Sequence, residues 1–142
     1  QNPKLIYSYK IQSKDDLLVP AKQIKSLIKD YSIFKFVGAM GAGKTTFIAE
    51  ICKLLGTDTV SSPTYAIVNT YKSAELGLIF HFDCFRLKNE TEAMESGLEE
   101  LIDSGNPCFI EWGDKIENLL PNKFVEVKIE QKNTYRKITI EL

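Results

Sequence analysis

An eight-residue stretch rich in glycine restricts the fold of this chain more than any other feature. Gly38–Thr45 reads GAMGAGKT and satisfies the pattern G-x-x-x-x-G-K-[ST]. The apolar run Ile33–Val37 lies directly before it and is too short for a helix, which favours a buried strand. After the loop, apolar residues recur at helical spacing: Phe47, Ile48, Ile51, Leu54 and Leu55. Strand, glycine loop and helix in this order predict a phosphate-binding loop.

The loop residues indicate how a phosphate chain would be held. Glycines allow backbone amides to point at phosphate oxygens, and the following helix adds the positive end of its dipole. We expect Lys44 to neutralise β- and γ-phosphate charge, and Thr45 to offer its hydroxyl to magnesium. The candidate nucleotide-binding residues here are Gly38, Met40, Gly41, Ala42, Gly43, Lys44, Thr45 and Thr46.

The rest of the chain alternates between strand and helix patterns. Apolar alternation predicts a half-buried strand around Leu5–Ile11 and a C-terminal hairpin over residues 125–140. Further strands are predicted at Tyr65–Tyr71, Leu78–Phe85 and Cys108–Glu111, and helices from Pro20 to about Lys29 and over Glu90–Asp103, with a break near Gly97. This order predicts an α/β fold, a P-loop NTPase-like three-layer sandwich whose parallel core sheet has flanking antiparallel strands. We expect residues 1–142 to form a single P-loop ATPase domain.

Two acidic residues end predicted strands, Asp83 after Leu78–Phe82 and Glu111 after Cys108–Ile110. Ligands gather at the carboxyl ends of parallel strands, where the loop also begins. Both carboxylates are therefore candidates for holding magnesium and for polarising the attacking water. Spacing does not decide which acid has which role.

Three other features leave alternatives open. Ser61–Thr64 reads SSPT and is either a segment that senses the γ-phosphate or an ordinary Ser/Pro loop. His81 is either a hydrogen-bonded core histidine or a catalytic group. Arg86 is either a phosphate or partner contact or a member of a surface ion pair.

Composition excludes several function classes. The net charge of -1 gives no global attraction to nucleic acid, so any RNA role is expected to be indirect or local. Three widely spaced cysteines and one histidine do not form a zinc-binding pattern and indicate reduced thiols. No apolar stretch reaches the length of a membrane span, and no secretion signal is legible at the N-terminus. We expect a cytoplasmic protein without a membrane partner.

Four blocks of sequence carry a resemblance to a known family. They are GAMGAGKTTF at Gly38–Phe47, VSSPTYAIVNTY at Val60–Tyr71, HFDCFRL at His81–Leu87 and IEW at Ile110–Trp112. With these blocks the chain resembles TsaE, the small ATPase family of bacterial tRNA threonylcarbamoyladenosine biosynthesis. The match extends from the phosphate loop to Pro121. Gly113-Asp114 departs from it, since Pro-Glu is usual there.

The resemblance implies a cofactor set, partners and site residues. It implies ATP and Mg2+ as cofactors, with weak ATPase activity that a TsaD-like transferase subunit and a TsaB-like companion stimulate, and with indirect contact to tRNA. Asp83 and Glu111 would be the metal and catalytic carboxylates, beside Lys44 and Thr45. The remaining implied residues are Trp112 near the nucleotide and Ser62, Pro63 and Thr64 as a nucleotide-sensitive switch.

Two rival functions remain open. A small nucleotide or metabolite kinase needs several arginines and a lid, whereas this chain has only Arg86 and Arg136 and no lid-sized insertion. A non-hydrolysing adaptor would use ATP only to stabilise an interface. A GTPase is disfavoured because no N-K-x-D-type motif is present. The sequence does not predict an oligomeric state.

Overall fold

The computed structural model describes residues 5–64 and 67–142, and side chains within 5–59 and 67–142. In these ranges the strands form one sheet: β1 Ile6–Ile11, β2 Ile33–Val37, β3 Thr57–Thr64, β4 Val68–Ser73, β5 Gly77–Asp83, β6 Cys108–Glu111, β7 Val125–Gln131 and β8 Arg136–Glu141. The α-helices are α1 Leu18–Leu27, α2 Lys44–Leu54, α3 Glu90–Glu95 and α4 Leu98–Ile102. Short 3₁₀ segments cover Lys14–Leu17, Cys84–Arg86 and Gly113–Leu119.

The sheet has a parallel centre and antiparallel edges. Its strand order is β1-β8-β7-β2-β6-β5-β4-β3. Strands β7, β2, β6 and β5 pair in parallel, while β8 and β1 continue one edge and β4 and β3 the other in antiparallel pairing. The α/β prediction of a parallel core with flanking antiparallel strands is confirmed.

Helices cover both faces of the sheet and complete three layers. On one face α1 and α2 pack over Phe34, Phe36 and Phe109, whose rings meet edge to face with centroids 5.5–5.9 Å apart. On the other face α3 and α4 pack over a second apolar cluster that includes Phe82 and Ile110. Because β2 and β6 are buried on both faces, they read as largely apolar runs in the sequence, with Lys35 inside β2 and Glu111 at the end of β6.

The predicted elements differ from the observed ones in several places, and the predicted strand Leu78–Phe85 ends at Asp83, after which a 3₁₀ segment begins. Helix α1 begins at Leu18, ahead of the predicted entry at Pro20. Amides in the first turn of a helix have no intrahelical partner, so proline is tolerated there. Strand β3, which contains Pro63, was not predicted. It lies at the edge of the sheet, where a residue without an N–H can be accommodated.

The three thiols are free and buried, as predicted. Burial raises the pKa of Cys52 to about 11 and the pKa values of Cys84 and Cys108 to about 12. These thiols therefore stay protonated at neutral pH and behave as small apolar side chains. In the part of the chain that the structure describes, no helix is long and apolar enough to cross a membrane.

Candidate functional site

The glycine loop joins β2 to α2 through backbone that other residues would not fit. A Cβ at Gly38 would lie 2.6 Å from the Ile129 carbonyl oxygen, so the loop can leave β2 beside β7 only without a side chain. Gly43 has φ +109° and precedes the first residue of α2. Its left-handed conformation turns the chain into the helix, whose first amides have no intrahelical acceptor. The loop thus offers backbone donors at the positive end of a helix.

Lys44 lies at the base of this loop and is buried, with 6% of its surface exposed. Its ammonium group donates to the Gly38 carbonyl oxygen and lies 4.0 Å from the centroid of the Trp112 ring. Burial lowers the pKa of Lys44, while the charges of Glu111, Asp83 and Asp114 act in the opposite direction. Because burial disfavours the charged form of Lys44, a phosphate bound beside its ammonium group would offset that cost.

The two predicted acids lie side by side at the carboxyl ends of adjacent strands. Asp83 on β5 is the direct register partner of Glu111 on β6. The Thr45 hydroxyl donates to Glu111, with Oγ1 3.1 Å from each carboxylate oxygen. The Asp83 carboxylate is exposed and accepts from the Phe85 amide at 3.2 Å. Glu111, rather than Asp83, therefore contacts the loop hydroxyl that is suited to a metal.

His81 contacts the same carboxylate. Its Nε2 lies 2.6 Å from Glu111 Oε2, and the two side chains are 7% and 4% exposed. The sequence leaves open whether His81 is a hydrogen-bonded core histidine or a catalytic group. In the structure it is buried and hydrogen-bonded to Glu111, a candidate site residue. Periodicity places His81 and Asp83 on one face of β5, but it cannot indicate contact with a strand that is distant in sequence.

Trp112 adopts an unusual backbone conformation that turns its ring over Lys44. Its φ of +58° makes it the one non-glycine residue with positive φ among those that the structure describes. Bulky residues rarely adopt this region, and such strain clusters at functional sites. The ring also contacts Phe85, with centroids 5.2 Å apart. Lys115 holds this segment by donating to the Phe85 carbonyl oxygen and, at 3.0 Å, to that of Leu87.

Gly113 and Asp114, which stand where Pro-Glu is usual in the family pattern, both lie next to the buried side chain of Lys35. Lys35, only 8% exposed in β2, places its ammonium group 3.7 Å from Asp114 Oδ1. A Cβ at Gly113 would lie 3.3 Å from Lys35 Cγ and 3.2 Å from Ile110 Cγ2. The small residue gives Lys35 room, and the acid supplies its countercharge.

An open cleft of about 430 Å³ lies between the loop and the two acids. It is lined by Met40, Gly41, Gly43, Lys44, Thr45, Thr46, Asp83, Phe85, Arg86, Glu111, Trp112 and Arg136. Nearly all predicted site residues with described side chains line it; Gly38 and Ala42 instead line a neighbouring cavity on the outer side of the loop. The side chains of Ser62, Pro63 and Thr64 lie outside the described residues, and their predicted switch role stays a prediction.

A second cavity of about 310 Å³ adjoins the loop on its other side. It is lined by residues of the β1–α1 connection, the loop and the β7–β8 hairpin, among them Ser13, Ala42, Thr46 and Thr134. Arg136 lines both cavities and lies next to Gly43, where its Nη1 would be 3.2 Å from an added Cβ. No sequence pattern assigns Arg136 to the site, because only the antiparallel return of β8 brings it to the loop.

The oxygen groups in the cleft fit magnesium better than a metal held by protein ligands alone. Among the described residues, no group of three or more His, Cys, Asp or Glu side chains is arranged to hold a metal ion. Magnesium accepts one or two protein oxygens and completes its shell with phosphate oxygens and water. Thr45 and Glu111 offer such oxygens next to the phosphate loop.

Comparison with known proteins identifies the family. The family model described as "Threonylcarbamoyl adenosine biosynthesis protein TsaE" matches residues 11–138. The chain belongs to the TsaE family. It is 37% identical to the tRNA threonylcarbamoyladenosine biosynthesis protein TsaE of Rickettsia bellii over 122 residues, 84% of this chain and 83% of that protein. It is 34% identical to the protein of the same name from Bacillus subtilis, over 78% of this chain and 69% of that protein.

A solved structure has the same fold. The crystal structure of Bacillus YdiB aligns with a TM-score of 0.77 at 23% identity, covering 99% of this chain and 88% of that one. This likeness extends over the whole sheet with its flanking helices. The resemblance that the sequence motifs indicate is therefore confirmed at the level of family and fold.

The contact between Lys44 and Trp112 makes the phosphate site observable by fluorescence, because Trp112 is the only tryptophan. We predict that Lys44→Ala shifts the emission of the free protein by removing the cation from the ring. Pyrophosphate should shift wild-type emission in the same direction by drawing Lys44 towards phosphate. Lys53→Ala, an exposed lysine at the far end of α2, is the matched control. An unchanged spectrum for Lys44→Ala contradicts the contact.

Proposed function

We propose that this chain is an ATPase that supports threonylcarbamoyl modification of the adenosine beside the anticodon in ANN-decoding tRNAs. The observation that carries the proposal is the contact of the Thr45 hydroxyl with the Glu111 carboxylate at 3.1 Å, at the mouth of a phosphate-binding loop. Membership of the TsaE family supports the biosynthetic role. The proposal treats residues 1–142 as a single ATPase domain.

In this proposal ATP and Mg2+ bind in the cleft, and the two acids have different roles. Glu111 and Thr45 would hold the magnesium ion, which offsets charge on the phosphate oxygens during transfer to water. Lys44 and the loop amides would bind the β- and γ-phosphates. The exposed carboxylate of Asp83, beside Glu111 in the sheet, would orient the attacking water or a water of the metal shell. Trp112 and Phe85 would shield the γ-phosphate side of the cleft.

The second cavity is proposed as the place of the adenosine moiety. It shares Gly43, Thr46 and Arg136 with the phosphate cleft, so one ligand can extend from one cavity into the other. Its lining combines apolar side chains such as Ile11 and Ile138 with polar ones such as Gln12 and Thr134. A flat base with polar edges suits this lining.

The partners in this proposal are a TsaD-like transferase subunit and a TsaB-like companion in the cytoplasm. Hydrolysis would reset the transferase between turnovers, with tRNA contacting the complex rather than this chain. The cleft is open and its acid Asp83 is exposed, which supports slow hydrolysis alone and faster hydrolysis when a partner covers the site.

The first test is phosphate release from ATP with and without the two partners. We predict slow release by the chain alone and faster release in the complex, because covering the cleft excludes bulk water. Lys44→Ala and Glu111→Ala should each lower the rate by at least about a hundredfold, since the first removes the cation that offsets phosphate charge and the second removes a carboxylate that would hold the magnesium ion. Lys53→Ala serves as the matched control and should retain the wild-type rate.

The same assay separates the rival functions. Transfer of phosphate to a small-molecule acceptor, in preference to water, contradicts the proposal and indicates a kinase. Binding of ATP with no hydrolysis in the full complex contradicts it as well and indicates an adaptor.

The second test concerns the adenosine cavity. Thr134 is exposed in the β7–β8 turn and lines this cavity, so Thr134→Trp should fill it without disturbing the core. We predict that calorimetry finds ATP affinity lowered by about tenfold, from loss of base burial, with pyrophosphate affinity unchanged. Asn133→Trp, next to it but outside the cavity lining, is the control. Equal ATP affinity for Thr134→Trp and wild type would place the base elsewhere.

A further inference from the structure

We infer that His81 is a positioning residue for Glu111, one that fixes which carboxylate oxygen faces the magnesium ion of a bound nucleotide. The inference rests on the proposed function, because it gives Glu111 the metal. It adds a residue that lines neither the phosphate cleft nor the adenosine cavity. His81 acts through Glu111 and touches no substrate.

The bond between His81 and Glu111 is short and buried. His81 Nε2 lies 2.6 Å from Glu111 Oε2, a short separation for a nitrogen and an oxygen. An ionised carboxylate only accepts hydrogen bonds, so Nε2 carries the hydrogen and donates it. Both groups are nearly fully buried. A bond to a charged acceptor in such surroundings is stronger than one between neutral groups.

The two carboxylate oxygens of Glu111 have different contacts. Thr45 Oγ1 lies 3.1 Å from both carboxylate oxygens of Glu111, a contact that does not distinguish them. His81 contacts Oε2 and so makes the two oxygens inequivalent. Oε2 is tied to β5, while Oε1 keeps more of its accepting capacity for the metal shell. When the Thr45 hydroxyl turns to a metal ion, the bond from His81 still holds the carboxylate.

The sheet holds the backbone of His81 in place. His81 lies inside β5, paired with Asn69 of β4 and Phe109 of β6, so strands on both sides fix its backbone. It precedes Asp83 by two residues and shares its face of the sheet. One strand thus supplies both the exposed acid and the donor that orients the buried one. Such a supporting donor is what a site carboxylate needs to stay oriented.

The test compares two amides at position 81. In His81→Gln the amide nitrogen lies about where Nε2 was and can donate to Glu111. The side chain of His81→Asn is one methylene shorter, so its amide nitrogen does not reach Glu111. Calorimetry measures ADP affinity with Mg2+ and with a chelator, for wild type and both variants. The ratio of the ADP affinities with Mg2+ and with chelator reports on metal binding. The ADP affinity in chelator reports on phosphate binding by the loop.

We expect wild type and His81→Gln to show the same gain within about threefold. In His81→Asn the gain should fall by about tenfold, as expected for a lost bond to a charged group, with affinity in chelator unchanged. His81→Met, which has similar length and no donor, should repeat the loss. Thermal unfolding checks that each variant is folded, so two variants without a donor in reach of Glu111 carry the test.

Two outcomes overturn the inference while wild type behaves as proposed. One is an unchanged gain in ADP affinity from Mg2+ in both His81→Asn and His81→Met. The other is a parallel loss of affinity in chelator, which makes His81 a support for the loop as a whole. If wild type itself shows no gain from Mg2+, the proposed function fails and the inference fails with it. The wild-type measurement therefore separates the two failures.

Discussion

The parallel pairing of β2 with β6 is the constraint on which the candidate site depends. It aligns Phe36 with Glu111 at the edge of the sheet where the chain leaves β2 for the glycine loop. Glu111, 66 residues after Thr45, reaches the Thr45 hydroxyl because of this register. A strand rises about 3.3 Å per residue and successive side chains point to opposite faces, so a one-residue shift of the register would carry the carboxylate away from the loop. The packed aromatic rings on β2 and β6 keep that register in place.

Much of this arrangement could be predicted from the sequence because its signals are local. The bounds of β2 and β6 follow from short apolar runs between polar residues, and Gly97 marks the break between α3 and α4 through its positive φ. The glycine loop is recognised from its own spacing. The convergence of Asp83 and Glu111 also followed, since parallel strands bring their carboxyl ends to one edge.

Features that depend on contacts between distant segments could not be predicted from the sequence. The bond from His81 to Glu111 needs the register of β5 against β6, which no periodicity contains. Arg136 reaches the loop only because β8 returns antiparallel to β7. The strand β3 was missed because Pro63 and its serine and threonine neighbours are typical of loops, while an edge position tolerates them.

In the proposed function, the sheet brings Thr45 and Glu111 to one metal ion on a bound triphosphate. Crystals grown with Mn2+ and a non-hydrolysable ATP analogue test it directly, because anomalous scattering locates the metal. We predict one manganese peak beside the β- and γ-phosphates, with Thr45 Oγ1 as a direct ligand and Glu111 in its inner or water shell. A metal held by Asp83 away from Thr45, or a triphosphate bound outside the glycine loop, would contradict it.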